Sequence, residues 1–110
     1  MSRRTEKIES LIQQAVGRFI LELEWPSLVT ISRVRVTENL ASAKIFISVF
    51  DDKNIGTVKE ILVKNLYEWQ GRLIRGFSMK KVPKIRFIID RSAENITRVG
   101  ELLKQIHDEE

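Results

Sequence analysis

The chain has 110 residues and a formal net charge of +4, with 43% of its residues hydrophobic and 31% charged. That length supports one domain with a modest core, and the composition is typical of a soluble globular protein rather than a disordered chain. Disulfides and thiolate metal sites are excluded because there is no cysteine, which fits a reducing cytoplasm. No apolar run approaches the ~18 residues of a membrane span, and no secretory signal is apparent.

The first predicted element is an amphipathic helix over residues 3–23. Its apolar side chains recur at the three- and four-residue spacing of a single helical face: Ile8, Leu11, Ile12, Ala15, Val16, Phe19, Ile20 and Leu23. The dipeptide Trp25-Pro26 is expected to end this helix, because the residue before a proline is pushed out of the α region.

A β-hairpin is predicted from Leu28 onwards, where the apolar spacing changes to two. The apolar residues of its first strand change phase between Ile31 and Val34, so that strand contains a bulge or changes its buried face. After a turn, the second strand alternates core residues with outward ones: Ala43, Ile45, Ile47 and Val49 against Lys44, Phe46, Ser48 and Phe50. The short connection makes the two strands antiparallel.

A second helix follows a short polar loop, and Thr57 is its expected N-cap. The apolar stripe of this helix runs on to Leu73, but Gly71 and Gly76 weaken it. We therefore expect a bend or break between residues 67 and 76.

A third strand opens at Val82-Pro83, where proline is tolerated because it precedes the ladder. Alternate residues from Ile85 to Ile89 are expected in the core. Ser92 is the expected N-cap of a last helix, and residues 107–110 are expected to fray. The order helix, strand, strand, helix, strand, helix predicts an α+β fold, in which helices cover one face of a three-stranded sheet.

Catalytic and metal-binding arrangements are sparse in this sequence. The single histidine, His107, has no nucleophile or metal-ligand spacing around it, and Asp51-Asp52 is typical of a solvated turn. The segment from Gly71 to Gly76 resembles a phosphate loop only superficially, because Phe77-Ser78 replaces the residues that would hold phosphate and magnesium. We therefore predict that the chain is not an enzyme and binds no cofactor and no metal.

The most informative feature is a local excess of positive charge in residues 72–91. Seven basic residues stand there against the single acid Asp90, a net +6, so the other ninety residues sum to −2. Solvated surfaces usually mix the two signs, whereas a local excess is typical of a protein with a polyanion partner. The basic residues are Arg72, Arg75, Lys80, Lys81, Lys84, Arg86 and Arg91.

We expect packing to hold these charges in one patch, because they lie where the second helix ends and the third strand begins. The open side of the sheet would add Lys44 and either Arg33 or Arg35, with Phe46 available for base stacking. Six phosphate contacts would give a log–log salt slope on the order of four to five, at ~0.7–0.9 for each contact. An ordinary solvated surface is the alternative interpretation.

Several segments together resemble the bacterial ribosome-binding factor A family over about residues 3–106. The opening helix from Arg4 to Leu23 and the strand Val29–Val36 resemble the first helix and first strand of the family in their order and spacing. The segment Leu40-Ala-Ser-Ala-Lys-Ile-Phe-Ile-Ser48 is similar to the family's DL-x-x-AKV-x-V-S strand. Val82-Pro-Lys-Ile-Arg-Phe87 followed by Asp90-Arg-Ser is similar to its VPEL-x-F-x-x-D-x-S segment.

The resemblance implies a type II KH-like fold, without the Gly-x-x-Gly loop of ordinary KH domains, over a single RNA-binding domain of residues 1–110. It also implies a non-enzymatic factor that binds the immature small (30S) ribosomal subunit and its 16S rRNA. Such factors assist late maturation, including 5′-end processing, and are linked to growth in the cold and to a release GTPase. By this reading the chain is a cytoplasmic monomer that does not contact membranes.

Two positions depart from the family pattern. The family usually has Ala-x-Gly at a kink after its second helix, where ungapped counting from Val82-Pro83 gives Asn65-Leu66-Tyr67. Either Gly71 supplies a displaced bend or the helix runs straighter. Asn39 stands where the family has aspartate, which is a tolerable change in a turn.

The predicted RNA-binding residues combine the charge cluster with the start of the first helix: Arg72, Arg75, Lys80, Lys81, Lys84, Arg86, Arg3 and Arg4. The family motif itself fixes only Lys80 and Lys81. The competing hypothesis is a KH-like protein–protein adaptor that uses the open sheet face with Phe46 and Ile88. A small ferredoxin-like enzyme would need a strand-first order, whereas this chain opens with a helix.

Overall fold

The computed structural model describes residues 3–79 and 81–90. The described helices and strands are α1 Arg3–Leu21, β1 Val29–Val36, β2 Ser42–Val49, α2 Ile55–Gly76 and β3 Lys84–Ile89. The expected last helix after Ser92, the expected fraying of residues 107–110, and the basic residues Lys80 and Arg91 lie outside the described residues.

Helix α1 ends at Leu21, two residues before the predicted end, and a tryptophan side chain closes it. The indole N–H of Trp25 donates to the carbonyl oxygen of Ile20, with an N···O distance of 2.7 Å. The same carbonyl also accepts from the backbone N–H of Leu23 at 3.2 Å, so two donors beyond the helix end bind a carbonyl of its last turn. The predicted apolar face is buried or half-buried except at Leu11, which is 42% exposed.

Of the two alternatives left open for the first strand, the structure shows the bulge, at Ser32. Ile31 pairs with Ile47 and Arg33 pairs with Phe46, so β1 has one residue more than β2 between these two pairs. Because an inserted residue reverses the two faces of a strand, the valines on both sides of the bulge face the helices. The hairpin of β1 and β2 is antiparallel, as predicted.

Helix α2 begins earlier than predicted. A 3₁₀ turn at Asp52–Asn54 leads directly into it at Ile55. The Asp51 carboxylate accepts a hydrogen bond from the backbone N–H of Lys53 at 3.1 Å and so starts this turn. Thr57 lies inside the helix, and its prediction as the N-cap is wrong.

Helix α2 then runs without interruption to Gly76, so it does not break between residues 67 and 76. A bend there stays a prediction. A β-carbon at Gly71 would lie 3.1 Å from Nη1 of Arg75, so the glycine leaves room for this side chain without ending the helix. An interior glycine costs a helix about 1 kcal/mol. The burial of Trp69 and Leu73 on the neighbouring turns outweighs that cost.

Strand β3 lies parallel to β2, so the sheet is mixed and has the strand order β1-β2-β3. Helix α2 forms the crossover that a parallel pair requires. The amide of Gln70 fixes the start of β3: its Nε2 donates to Pro83 O at 3.0 Å, and its Oε1 accepts from Ile85 N at 2.8 Å. The side chain thereby covers part of a strand that forms one edge of the described sheet.

Both helices pack on the same face of the sheet, and Trp69 lies at the centre of the core. Its side chain is 2% exposed, and its ring centroid lies 5.8 Å from that of Phe19 and 5.7 Å from that of Phe87. One residue thus joins α1, α2 and β3. The predicted α+β fold with helices on one face of a three-stranded sheet is confirmed, and its KH-like character stays a prediction.

Replacing Trp69 by alanine is expected to lower the free energy of unfolding by about 3–5 kcal/mol, because a large cavity remains between two helices and a strand. Tyr67→Ala on the same helix removes a ring that is 91% exposed and should change stability by no more than about 0.5 kcal/mol. Urea denaturation followed by circular dichroism measures both. Equal losses would contradict the central position of Trp69.

Candidate nucleic-acid interface

The sheet face turned away from the helices, the open face, carries a row of cations. Side chains alternate along each strand, and the register pairs Arg35 with Lys44, and Lys44 with Arg86. These three residues form the cationic row, and Lys84 lies next to it beside Ser42. Positive charge is therefore concentrated at the end of the sheet where β2 and β3 begin.

The neighbouring row on the open face is mixed. Arg33, Phe46 and Ile88 pair across the three strands, and the guanidinium carbon of Arg33 lies 4.2 Å from the centroid of the Phe46 ring. That distance is typical of a cation–π contact. One side of the ring predicted for base stacking is thus covered by a planar guanidinium group, on which bases also stack.

Three cations of the open face have no ion pair with the described residues. Lys44, Lys84 and Arg86 are exposed, and among residues 3–79 and 81–90 none of the three has a carboxylate within salt-bridge distance. Cations without a pairing acid keep their attraction for a negatively charged ligand. The open face can therefore bind a polyanion without first breaking an ion pair to the described residues at these positions.

Arg72, in contrast, already has a partner. Its Nη1 lies 2.6 Å from Oε2 of Glu22 and its Nη2 lies 2.9 Å from Oε1, while its guanidinium carbon lies 4.1 Å from the Phe19 ring centroid. The hydrogen bonds from Arg72 hold the pKa of Glu22 below its ordinary value of 4.5, and the same bonds raise the pKa of Arg72. The charge of Arg72 is compensated, and the pair joins α2 to the end of α1.

The sheet divides the predicted basic patch in two. Lys84 and Arg86 point away from the helices, because Ile85 and Phe87, which alternate with them, pack in the core. Arg72 lies on the helical side against α1. The expectation that packing would gather both groups into one patch is wrong, because strand alternation turns the charges of β3 to the far side of the sheet.

The other predicted residues near this region are exposed at separate places. Arg75 is exposed, and its guanidinium lies back along α2 beside Gly71. Lys81 is exposed just before β3. Lys80 lies outside the described residues.

Arg3 and Arg4 are exposed in the first turn of α1. A carboxylate oxygen of Glu9 accepts a hydrogen bond from the backbone N–H of Val36 at 2.9 Å. The N-terminal half of α1 therefore lies at the end of β1 that also carries Arg35. The two arginines are on the same end of the molecule as the cationic row.

Arg35 and Lys44 complete the cationic row, although neither belongs to the predicted set of RNA-binding residues. The alternation in the second strand already indicated that Lys44 faces outward. Which β1 arginine lies opposite it depends on the position of the bulge at Ser32. The sequence shows that the apolar pattern changes phase near Ser32, but it does not show which residues of β1 and β2 pair with each other.

Within the described residues, no three histidine, cysteine, aspartate or glutamate side chains lie close enough together to hold a metal ion. Neither of the two described helices has the combination of length and hydropathy that a membrane span requires.

These features define a two-layer α+β domain with a cationic sheet face that α1 and α2 leave open. The family model described as ribosome-binding factor A matches residues 4–103. The ribosome-binding factor A of Chlorobium phaeobacteroides is 35% identical, over 100% of this chain and 99% of that protein. The chain therefore belongs to the ribosome-binding factor A family, and the resemblance seen in its sequence is confirmed.

Solved structures agree with this fold. The crystal structure of ribosome-binding factor A from Thermus thermophilus has a TM-score of 0.68 at 20% identity, covering 80% of this chain and 98% of that one. A homology model of the Thermus thermophilus protein, fitted into a cryo-EM map of a 30S complex, has a TM-score of 0.65 at 22% identity, covering 77% of this chain and 93% of that one. At these sequence identities, the structural similarity shows that the fold is shared and nothing beyond the fold.

Arg72→Met is expected to raise the pKa of Glu22 toward 4.5, because the hydrogen bonds that favour the ionised carboxylate are lost. The folded-state pKa of Glu22 lies below its unfolded value. The pair therefore stabilises the fold above that unfolded value, and the contribution is lost as the pH falls through the folded-state pKa.

NMR titration of the side-chain carboxyl resonances measures this change. The control is Arg75→Met on the same helix, whose side chain lies beside Gly71 and whose loss should leave Glu22 unaffected. A Glu22 pKa that stays the same after Arg72→Met would contradict the assigned pair.

Proposed function

We propose that this chain is a non-enzymatic ribosome assembly factor that binds the small (30S) ribosomal subunit through its 16S rRNA, with the open face as the main contact. The observation that carries the proposal is the cationic row of Arg35, Lys44 and Arg86 with Lys84 beside it. Membership of the ribosome-binding factor A family supports it. So does the 30S complex of the Thermus thermophilus relative.

The geometry of the row suits a folded RNA backbone. Neighbouring strands lie about 4.8 Å apart, so three cations across three strands span about 10 Å. Long side chains on a rigid sheet can then reach several phosphates at once. Phosphate contacts fix position and orientation without reading bases, so the partner is recognised by its folded shape rather than by a short sequence.

Changing Lys44, Lys84 and Arg86 together to glutamine is expected to weaken binding to 30S subunits and to lower the log–log salt slope by about 2–3, at ~0.7–0.9 for each lost phosphate contact. Cosedimentation across a potassium chloride series measures both quantities. The matched control changes three exposed lysines that lie away from the open face, Lys53, Lys59 and Lys64, and should leave the slope unchanged.

Equal slopes in the two triple variants would contradict the open face as the RNA-binding surface. Binding by the unmodified chain that hardly changes with salt would instead favour the protein–protein adaptor, because protein contacts release few counterions. Circular dichroism of each variant separates lost binding from lost folding.

The other predicted RNA-binding residues take secondary places in this proposal. Arg3, Arg4, Arg75, Lys80 and Lys81 are proposed as additional phosphate contacts around the open face and the adjoining end of α2. Arg72 is proposed to act mainly through its pair with Glu22, which holds α2 in place.

On the resemblance alone, we propose that binding assists late maturation and 5′-end processing of 16S rRNA, with the greatest need in the cold. We also propose that the chain acts as a cytoplasmic monomer released by a GTPase. Accumulation of 5′-extended 16S rRNA in cells carrying only the open-face glutamine variant would support the role in processing. Equal accumulation with the matched lysine control would contradict it.

A further inference from the structure

The bulge at Ser32 decides which side chain lies opposite Phe46 on the open face. Ile31 pairs with Ile47, so an unbroken ladder would set Ser32 against Phe46, whereas the extra residue brings Arg33 there instead. The guanidinium carbon of Arg33 then lies 4.2 Å from the centroid of the ring. Bulges are common next to binding sites because they re-aim a side chain, and this bulge places a guanidinium group over an aromatic ring.

Arg33 is exposed on the described surface. No carboxylate among residues 3–79 and 81–90 lies within salt-bridge distance of its guanidinium group. The ring of Phe46 below it is half-buried, and so is Ile88, the partner of Phe46 on β3. The three side chains together offer a planar cation over an apolar floor, and unstacked nucleobases stack on surfaces of this kind.

The cationic row lies next to this group along the strands. Lys44 and Arg86 precede Phe46 and Ile88 by two positions, which is a rise of about 7 Å. A nucleotide whose phosphate lies on the cationic row therefore has its base within reach of Arg33. A base that is paired and stacked inside an RNA helix cannot make this contact, whereas an unpaired base can turn out of the stack.

The row on the other side of the ring carries hydroxyl groups. Thr30 pairs with Ser48, and both lie on the open face because the residues on either side of them pack in the core. A hydroxyl group can donate or accept a hydrogen bond, so these two can bind the polar edge of a stacked base without requiring a particular base. Beyond them the face ends at Leu28 and Phe50, which are 66% and 83% exposed.

We propose that Arg33 and Phe46 form a stacking site for one unpaired nucleobase of RNA, with phosphates of the same RNA strand on the cationic row. The open face then binds RNA where a base leaves the helix, at a bulge, a loop or an end. Because every base has a planar face, stacking tolerates any of the four bases. The stacking site rests on the proposed function for the class of its ligand, and it is tested by a contact that 30S binding alone does not measure.

Three short RNAs that differ at a single nucleotide test the stacking site. The first is a duplex with one unpaired adenosine, the second has an abasic nucleotide in place of that adenosine, and the third is fully paired. The first two have the same backbone charge, so a difference between them reports the base. By fluorescence anisotropy at low salt, the unmodified chain should bind the adenosine RNA about tenfold more tightly than the abasic RNA. Equal affinities would overturn the proposal.

Two variants assign the preference to the stacking site. Arg33→Lys keeps the charge but removes the planar group, and Phe46→Leu keeps an apolar side chain but removes the ring. Each should lower the preference for the adenosine RNA to about twofold or less. Arg33→Lys should leave the salt slope on the fully paired RNA unchanged, because the number of cations is the same.

The control for these variants is Arg18→Lys, which makes the same chemical change at an exposed position of α1 and should keep the full preference. Circular dichroism checks the fold of each variant. If Phe46→Leu does not fold, Arg33→Lys decides, because its position is exposed. A preference that persists in a folded Arg33→Lys or Phe46→Leu variant would contradict the stacking site.

The outcomes separate the stacking site from the proposed function. Equal affinity for the adenosine and abasic RNAs, with 30S binding that the open-face glutamine variant weakens, rejects the stacking site and leaves the proposed function in place. A preference for the adenosine RNA that Arg33→Lys removes, with 30S binding that the glutamine variant leaves unchanged, supports the stacking site and rejects the open face as the contact with 30S subunits. No binding to any of the three RNAs rejects the stacking site.

Discussion

Both helices lie on one face of the sheet, and this constraint decides what each strand residue can do. Trp69 of α2 packs against Phe19 of α1 and Phe87 of β3. Apart from the bulge at Ser32, alternate strand side chains face this core, buried or half-buried, and the side chains between them lie on the open face. A shift of one residue in β2 would bring Lys44 into that core and turn a buried isoleucine to water. Since burying an unpaired ammonium is very costly, the open-face cations also help to fix the register of the strands.

The basic residues of one short stretch of sequence divide into two kinds once the chain is folded. Arg72 is bound to Glu22 and packs on Phe19, so it joins two helices. Lys84 and Arg86 face the opposite side of the sheet and have no carboxylate partner among the described residues. A count of charges along the sequence treats these residues as equivalent. In the folded chain, however, Arg72 joins two helices, whereas Lys84 and Arg86 are exposed on the open face.

Patterns of short range predicted much of this fold. The alternation in β2 was enough to assign its two faces. The change of phase between Ile31 and Val34 allowed either a bulge or a change of buried face, and the register shows the bulge. Predictions based on local residue preferences were wrong where tertiary packing opposed those preferences. Thr57 is a good N-cap residue, but the 3₁₀ turn starts the helix earlier, and Gly71 does not break a helix held by the buried Trp69.

Other features depend on residues that are far apart in sequence. The parallel direction of β3 follows from the crossover of α2, and the Glu22–Arg72 pair joins positions fifty residues apart. Leu40 has a φ of 59°, a left-handed conformation that non-glycine residues seldom adopt, and no local signal predicts it. The candidate site was therefore only half predictable: residue alternation indicates which cations face outward, whereas strand register decides which of them form a row.

The proposed binding of phosphates by the open face raises a problem of selectivity, because the attraction between cations and phosphates is strong at low salt and does not depend on sequence. Two properties of the open face reduce the problem. Its cations lie on a rigid sheet, which favours an RNA whose phosphates match their spacing. At its other end, the exposed side chains of Leu28 and Phe50 offer no charge to a phosphate. Under this proposal, an RNA surface that matches several of these cations binds more tightly than one that matches few.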